Sequence, residues 1–367
     1  MIEEQLEFRG SDAVITRIKK DDVPLYIWGC GTTGLNVKHY LEENGVGIKG
    51  VFVDGKYWSL GSELDGMAVN RLEDVLSHNE KISVVMGLAD YSKGEQLKSK
   101  SSLIKEVYYI TSPGYMMTES LTKEDVERHL EKYDKTWHLV EDQLSRDVFI
   151  SWLNARINDD ATYVFPYYTG NMGYFKNDIY SIGSNEGYID IGAYNGDSIK
   201  RFIECCNGKY SHIWAIEADD TNYEALIACI EKNEYDDITP IRRAVWSKKG
   251  RGIMNPVMGN PETVMVSFDQ DKGDKELFTV DEIADEYSIE SSLIKINFPG
   301  ADYVLRGACR LIQRDHPKIA VRVGFNKYEI GIVPELIKEI YAGYKLYLRY
   351  NYCVTSGLCL YAVCDGD

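Results

Sequence analysis

The sequence lacks the features of several large classes of protein. It has 41 Lys and Arg against 58 Asp and Glu, a formal net charge of −17 over 367 residues. Such an acidic chain repels phosphate backbones and anionic lipid, so nucleic acid is not an expected partner. No apolar run is long enough to span a bilayer, and the acidic residues 1–7 do not form a signal peptide. We therefore expect a cytoplasmic protein without a membrane span.

Motifs for metal binding and thiol chemistry are also absent. The six histidines form no His-x-His or His-Glu-x-x-His pair, and no two of the eight cysteines form a Cys-x-x-Cys pair. The sequence therefore predicts no metal site, and we expect reduced, buried cysteines. With 44% hydrophobic and 27% charged residues, the chain has an ordinary globular composition, and its length suits two domains.

The first half contains a glycine-rich turn between two predicted strands. An apolar strand at residues 23–28 leads into Gly29, Gly31 and Gly34, a helical stripe follows, and a second strand ends at Asp54, 20 residues after Gly34. In dinucleotide-binding units such glycines admit a pyrophosphate and the acid binds ribose hydroxyls. A tight strand–helix turn favours the same glycines without a ligand. A nucleotide or nucleotide-sugar site, a scaffold and an NAD site therefore all remain open.

The second half is organised around one strand and the turn that follows it. Residues 188–197 read Tyr-Ile-Asp-Ile-Gly-Ala-Tyr-Asn-Gly-Asp. Gly192 and Gly196 permit a sharp turn and a close ligand. Asp190 and Asp197 make its rim electronegative, which suits a cationic or hydroxyl-rich ligand better than a pyrophosphate. Glu217 ends the next predicted strand, 27 residues after Asp190.

Predicted strands and helices alternate regularly along the second half. The helices are placed at 198–206, 222–231, 302–314 and 330–341, with a hairpin within 250–274. This alternation predicts a parallel sheet with helices on both faces. The last two strands, 344–350 and 358–364, are joined by a loop too short for a crossover helix and must be antiparallel. We predict an α/β protein of two Rossmann-like domains, residues 1–135 and 136–367, the second with a seven-stranded sheet closed by this antiparallel pair.

The order and spacing of several segments resemble the FkbM family of methyltransferases. The matching segments are residues 145–156, 174–175, 190–197, 214–219, 244–247, 279–283, 294–302 and 305–308. The resemblance covers about residues 140–364. It implies a class I methyltransferase that uses S-adenosylmethionine (SAM) to methylate a hydroxyl of a sugar, glycan precursor or similar small molecule. The first half resembles the nucleotide-binding-like domain of surface-polysaccharide enzymes. The sequence does not decide the oligomeric state, and a homo-oligomer is one possibility.

The resemblance also implies roles for individual residues. Glu217 would accept hydrogen bonds from the ribose hydroxyls, and adenine would lie near Ala218 and Ala244. The implied cofactor-binding set is Asp190, Gly192, Ala193, Tyr194, Asn195, Gly196, Asp197, Glu217, Ala218, Ala244 and Val245. The implied acceptor contacts are Asn171, Tyr174, Phe175 and Asn326. For the aromatic segment 163–175, packing of its rings into the core is an equal alternative to a ligand wall.

One segment departs from the family pattern. Where the family has Lys-x-Asp-x-Glu-Gly-x-Glu, residues 295–302 read Lys-Ile-Asn-Phe-Pro-Gly-Ala-Asp. The candidate catalytic residues are therefore Lys295, Asn297 and Asp302. An amide is no base near neutral pH, Lys295 could simply pair with Asp190, and Asp302 could be a first-turn helix acid. The alternative function is a catalytically degenerate SAM- or nucleotide-sugar-binding protein of a glycan pathway.

Overall fold

The computed structural model describes residues 2–10, 13–78, 80–88, 90–111, 120–170, 173–257, 260–351 and 357–366. Asn171, a predicted acceptor contact, lies outside these residues. The chain forms two main sheets, one in each half, and a smaller third sheet. Among the described helices, none has both the length and the apolar character needed to cross a membrane.

The first half folds around a six-stranded sheet. Its strands, in the order β3-β4-β2-β1-β5-β6, are β1 (Leu25–Trp28), β2 (Gly50–Val53), β3 (Glu63–Leu64), β4 (Met67–Arg71), β5 (Ile82–Met86) and β6 (Ile104–Tyr108). Its helices are α1 (Val14–Lys19), α2 (Thr32–Glu43), α3 (Leu72–Leu76) and α4 (Lys93–Lys100). All pairings are parallel except the β3–β4 hairpin. That hairpin turns at Asp65-Gly66, both with positive φ, a signal that the sequence interpretation did not use.

Two long helices, α5 (Lys123–Leu139) and α6 (Gln143–Asn158), connect the sheets. Although α5 is rich in charged residues, one of its faces is buried, because Val126 and Tyr133 lie in the core of the second sheet. On α6, Val148, Phe149, Trp152 and Leu153 are buried, whereas Leu144 is 39% exposed and Ile157 is partly buried. The boundary at residue 135 stays a prediction.

The second half folds around a seven-stranded sheet in the order β16-β17-β15-β14-β7-β8-β9. The strands of this half are β7 (Gly187–Ile191), β8 (His212–Glu217), β9 (Ile238–Arg242), β10 (Ala244–Val245), β11 (Gly250–Val257), β12 (Asn260–Phe268), β13 (Lys275–Phe278), β14 (Leu293–Ile296), β15 (Lys318–Arg322), β16 (Lys345–Tyr350) and β17 (Leu358–Val363). Strand β17 is antiparallel to both neighbours and the other pairings are parallel, so the predicted antiparallel pair is present.

Helices cover both faces of the second sheet. They are α7 (Asp197–Cys205), α8 (Asp220–Lys232), α9 (Val280–Tyr287), α10 (Ala301–Arg306), α11 (Cys309–Asp315) and α12 (Val333–Ile340). Side chains of β7 alternate between the two cores: Ile189 and Ile191 enter one, and Tyr188 enters the other. The sheet is therefore buried on both faces, as its continuous apolar strands require.

Two predicted helices are interrupted. The predicted helix 302–314 divides into α10 and α11 because Gly307 packs on the backbone of Trp246, where a Cβ would lie 2.3 Å from the carbonyl oxygen. The predicted helix 330–341 begins as a 3₁₀ helix, Glu329–Gly331, before α12. The first break follows a tertiary contact, whereas the second has a local cause, because Pro334 in the first turn of α12 lacks the amide that a continuous helix would need.

A four-stranded sheet, β10-β13-β11-β12, is inserted between β9 and β14. The sequence predicted only a hairpin there, and β11 and β12 do form an antiparallel hairpin. The backbone N–H of Trp246 donates to the carbonyl of Phe278 at 2.8 Å, which extends the parallel pairing of β10 and β13 by one residue.

Candidate functional site

The turn after β7 lies at the point where the strand order of the sheet reverses. Strand β7 continues to β8 on one side, whereas its other neighbour, β14, continues to β15 in the opposite direction. Crevices at such points bind ligands in open α/β sheets. The turn holds Gly192, Tyr194 and Gly196 at φ of 75°, 51° and 84°. The amides of Gly192 and Ala193 donate to the carbonyl of Ile216 at 3.0 and 3.1 Å, which ties the turn to β8.

A buried ion pair supports this turn. The ammonium of Lys295 donates to Asp190 Oδ1 at 2.7 Å, to the carbonyl of Gly192 at 3.0 Å and to Ser198 Oγ at 3.3 Å. Ser198 in turn donates to Asp190 Oδ2 at 2.6 Å. Both charged side chains are almost fully buried. All three ammonium hydrogens are used, so the structure favours the ion-pair alternative for Lys295 over the catalytic one, and Asp190 supports the turn from within.

Glu217 binds the same turn from the end of β8. Its Oε2 accepts the amide of Tyr194 at 2.8 Å, and its Oε1 accepts the amides of Ala218 and Asp219, both at 2.9 Å. The residue is 8% exposed. Burial raises the pKa of the Glu217 carboxyl, although the three amide donors oppose the shift. A carboxylate oxygen can accept more than one hydrogen bond, so Oε2 keeps capacity for a further donor.

A cavity of about 330 Å³ opens at Ala218, the residue that follows Glu217 in the chain. Its wall brings together Ala218 and Ala244, which the sequence placed near one ligand, while Val245 is buried in the core. The full lining is Ala218, Asp220, Arg242, Arg243, Ala244, Lys275, Glu276 and Phe278. Asp220 pairs with Arg242 at 2.7 Å and with Lys275 at 3.3 Å. The cavity therefore has an apolar wall and a charged rim.

The other residues predicted for the cofactor differ in exposure. Ala193 is fully buried in the core, whereas Asn195 and Asp197 are exposed. Asp197 forms an ion pair with Arg201 at 2.9 Å, one turn further along α7. Contacts of these residues with a cofactor stay predictions.

The turn after β14, residues 297–300, packs against the turn after β7. A Cβ added to Gly192 would lie 3.1 Å from the Phe298 ring and 3.5 Å from the carbonyl oxygen of Asn297. The Asn297 side-chain oxygen accepts a hydrogen bond of 3.4 Å from Arg322. Asp302 is half-buried in the first turn of α10, and burial raises its pKa against the opposing charge of Arg306. Within the segment that follows β14, Asp302 therefore provides the carboxyl near the strand end.

A second carboxyl, which the sequence interpretation missed, reaches this turn from the 3₁₀ helix after β15. Glu329 Oε1 accepts the amide of Gly300 at 2.6 Å, and the residue is 3% exposed. Burial raises the pKa of Glu329 to about 7. The only signal in the sequence is a single acid preceding the apolar residues 330–333. Asn326, a predicted acceptor contact, accepts the amides of Tyr328 and Glu329 at 2.9 and 3.0 Å and so shapes this turn.

The aromatic residues predicted to contact the acceptor lie in the core. Tyr174 is 2% and Phe175 3% exposed, in one cluster with Tyr188 and Phe202. The Phe175 ring meets both of those rings edge-on at 5.5 Å. This is the core packing that the sequence left as an alternative, and no described contact supports a ligand wall at these two rings.

The glycine turn of the first half is built differently. A Cβ on Gly29 would lie 2.6 Å from the carbonyl oxygen of Gly87, and one on Gly34 would lie 2.2 Å from that of Gly29. Gly31 is exposed, with nothing within 4 Å of an added Cβ. Asp54 pairs with Lys100 at 3.0 Å. Two of the three glycines therefore serve strand–helix packing, and a nucleotide at this turn stays a prediction.

One group of possible metal ligands occurs among the described residues, on the surface of the first half. It comprises His39, Glu42 and Asp65, all exposed. Lys38 Nζ already lies between the two carboxylates, at 2.8 Å from Glu42 and 2.7 Å from Asp65. The ammonium group of Lys38 therefore already balances part of the negative charge of this cluster.

The chain matches one family model and is similar to several solved structures. Residues 190–352 match the family model described as Methyltransferase FkbM domain. The solved structure of methyltransferase FkbM from Methylobacillus flagellatus KT is similar with a TM-score of 0.68 at 19% identity, covering 95% of this chain and 92% of that one. This likeness shows that the fold, including the first half, occurs in that protein. No curated protein matches the chain.

Fibrillarin from Aeropyrum pernix, solved with natively bound S-adenosyl-L-methionine, is a more distant neighbour. Its TM-score is 0.33 at 13% identity, with 50% of this chain and 70% of that chain covered. A similarity at this level carries no argument about this chain.

Proposed function

We propose that this chain is a SAM-dependent methyltransferase that methylates a hydroxyl of a sugar, a glycan precursor or a similar small molecule. The observation that carries the proposal is the Glu217 carboxylate, buried at the end of β8 and bonded to the Tyr194 amide of the glycine turn. A carboxylate beside a glycine turn at the reversal of strand order suits a ligand with a ribose. The match of residues 190–352 to the methyltransferase family model supports the choice of SAM over other nucleosides.

The residues of this region fit SAM chemically. Glu217 Oε2 retains capacity for a ribose hydroxyl, and Ala218 and Ala244 provide apolar wall for adenine in the 330 Å³ cavity. Gly192, with φ of 75°, leaves backbone rather than a side chain at the closest part of the turn. The Asp190–Lys295 pair fixes that backbone from within.

SAM would supply an electrophilic methyl group on a sulfonium. The chain's own contribution is then to hold acceptor and donor in line and to accept the hydroxyl proton. Preorganisation of the turn by Lys295 and Glu217 serves the first task, since a rigid site loses less entropy on binding. Two carboxyls near the strand end, those of Asp302 and Glu329, are available for the second task.

The binding part of the proposal is tested by calorimetry with SAM and S-adenosylhomocysteine (SAH). Both should bind the unmodified chain, and Glu217→Ala should weaken binding by about 100-fold or more, because charged hydrogen bonds to a ribose are lost. Glu224→Ala, an exposed acid on α8, is the matched control and should leave the affinity unchanged. Absence of binding to the unmodified chain at high protein concentration would refute the proposal.

The acceptor part needs a separate assay. Methyl-labelled SAM and a panel of methyl glycosides should give labelled, O-methylated product. Label transferred instead to amines or thiols would refute the choice of a hydroxyl acceptor.

A binding protein without catalysis is the second candidate. It is favoured by Asn297, whose side-chain oxygen is engaged with Arg322 where the family has an acid. Under this alternative, the double variant Asn297→Asp with Pro299→Glu gains methyl transfer that the unmodified chain lacks. Robust methyl transfer by the unmodified chain, with no change in the double variant, would rule out a binding protein without catalysis.

A further inference from the structure

Glu329 is a buried carboxyl with an incomplete set of partners. Its side chain is 3% exposed, and Oε1 accepts the Gly300 amide at 2.6 Å. Oε2 is also buried but has no hydrogen-bond partner among the described residues. Burying a carboxyl in this state is costly, and native proteins retain such groups mainly where they have a function.

Glu329 is linked by direct contacts to the proposed methyl-donor site. It bonds to Gly300, and Gly300 belongs to the turn 297–300 after β14. That same turn packs on Gly192, through the Phe298 ring and the Asn297 carbonyl. A single turn of backbone therefore separates the Glu329 carboxyl from the glycine turn after β7.

This turn is also the segment that lacks two acids. Asn297 and Pro299 carry no carboxylate, and the Asn297 oxygen is engaged with Arg322. Glu329 provides a carboxyl at the same turn from a segment about thirty residues further along the chain. The charge of Asp302 adds to the effect of burial in raising the pKa of Glu329, so the two carboxyls sense each other.

We propose that Glu329 is the proton acceptor for the methylated hydroxyl, in place of the carboxylates missing at positions 297 and 299. This inference rests on the proposed methyltransferase function. In the step, the acceptor oxygen bonds to the methyl carbon, the carbon–sulfur bond breaks with its electron pair going to sulfur, and the hydroxyl proton passes to the Glu329 carboxylate. Glu329 then releases this proton to solvent, which restores its carboxylate.

Proton acceptance near neutral pH requires a group that is partly ionised there. The burial that raises the pKa of Glu329 to about 7 meets this requirement, because general bases work best near the operating pH. Asn297 offers no such chemistry, and Lys295 is held in its ion pair with Asp190.

Two ion pairs lie among the charged groups around Glu329. On α5, Asp125 pairs with Lys327 at 2.9 Å. On α12, Glu335 pairs with Lys135 of α5 at 3.2 Å. Other charged or titratable groups near this turn are His129, Lys132 and Tyr133 on α5, Tyr328, Arg156, Arg322 on β15, and Asp302 and Arg306 on α10. Asp302 is the charged group that acts on Glu329 itself.

The test compares the affinities of SAM and SAH by calorimetry at about pH 6 and about pH 8, and needs no acceptor. The sulfur of SAM is positively charged and that of SAH is neutral, so an ionised carboxyl near the methyl group favours SAM. The SAM-to-SAH affinity ratio of the unmodified chain should rise about fivefold between these pH values, for a tenfold coupling between ligand charge and carboxyl. A ratio that does not change with pH would overturn the proposal.

Two variants identify the carboxyl responsible. Glu329→Gln keeps an oxygen for the Gly300 amide and should abolish the pH dependence of the ratio while both ligands still bind. Asp302→Asn should keep the dependence but lower its midpoint, because a like charge that raises the Glu329 pKa is removed. Glu335→Gln, about 40% exposed on α12, is the control and should behave as the unmodified chain.

The possible failures can be told apart. If neither SAM nor SAH binds the unmodified chain, the proposed function fails. If both bind and the ratio keeps its pH dependence in Glu329→Gln, only the assignment of Glu329 fails. If Glu329→Gln does not fold, the lowered midpoint in Asp302→Asn decides, and an unchanged midpoint there overturns the assignment.

Discussion

The two glycine turns of this chain look alike in sequence but differ in what holds them. In the first half, Gly29 and Gly34 are required by backbone contacts within about 2–3 Å of their missing Cβ atoms, and the acid Asp54 pairs with a surface lysine. In the second half, the acid Glu217 is buried and bonds to the turn itself, and the Asp190–Lys295 pair supports the turn from the core.

The difference teaches how a ligand turn can be separated from a packing turn. Glycines alone report only that two pieces of backbone approach closely. A buried acid bonded to the turn is costly and is expected where a ligand uses it.

The largest effect is expected from loss of the buried cation. Lys295→Met leaves the fully buried Asp190 without its counter-ion and should lower the free energy of unfolding by about 3–5 kcal/mol. The corresponding change in the first half, Lys100→Met, removes an exposed partner and should cost less than about 1 kcal/mol. Urea unfolding measures both. Equal costs would mean that the two turns are held in the same way.

Substitutions of the glycines in the first turn should differ in their effect on stability according to how closely each glycine is packed. Gly34→Ala places a Cβ 2.2 Å from the Gly29 carbonyl oxygen and should cost about 2–3 kcal/mol in unfolding free energy. Gly31→Ala meets nothing within 4 Å and should cost only about 0.5–1 kcal/mol, because alanine is a poorer N-cap of α2 than glycine. Thermal unfolding followed by circular dichroism distinguishes them. A large cost at Gly31 would show that packing does not explain the need for glycine there.

Glu329 should make stability depend on pH. Burial raises its pKa in the folded chain from 4.5 to about 7, so the folded state binds the proton more tightly than the unfolded state. The stability contributed by this group is complete below about pH 4.5 and is lost as the pH rises through about 7. Glu329→Gln should therefore gain roughly 1–3 kcal/mol relative to the unmodified chain between about pH 5 and about pH 8.

Denaturant unfolding at the two pH values measures this gain. The Glu335→Gln variant serves as the reference, because that carboxyl is exposed and paired. A gain no larger than that of the reference would contradict a strongly shifted Glu329.

The smallest effect is expected at the surface acid of the first turn. Asp54→Asn should change the unfolding free energy by less than about 0.5 kcal/mol and leave the SAH affinity unchanged, because it breaks one exposed ion pair. Calorimetry with SAH checks this beside Glu217→Ala. A matching loss of affinity in Asp54→Asn would place a cofactor contact in the first half.

The strand and helix order of the second half could be predicted from the sequence because each feature is local. Buried parallel strands appear as short apolar runs, and glycines and acids at their ends mark the ligand turns. Gly307 could not be recognised as a break, since its cause is the carbonyl of Trp246, sixty-one residues earlier. Glu329 was missed for the same reason: its importance lies in its contact with Gly300, which no local pattern encodes.

The candidate site was predictable only in part. Glu217 and the glycines follow strand ends, so position along the chain indicates their place. The pairing of Lys295 with Asp190 was one of two alternatives, and only the register of β14 beside β7 decides between them. Tyr174 and Phe175 illustrate the limit, because an aromatic segment is equally suited to a ligand and to a core.

The segment before α1 can reach its folded position only late in synthesis. The amides of Glu7 and Arg9 donate to Asn154 and Asn158 on α6, partners that are 147 and 149 residues away in sequence. At a ribosomal rate of about 5–20 residues per second, the segment waits roughly 7–30 seconds for them. The first sheet can form during that interval, but the segment before α1 cannot bind α6 until α6 has been synthesised. A nascent chain stalled before α6 would therefore expose this segment to proteases and chaperones.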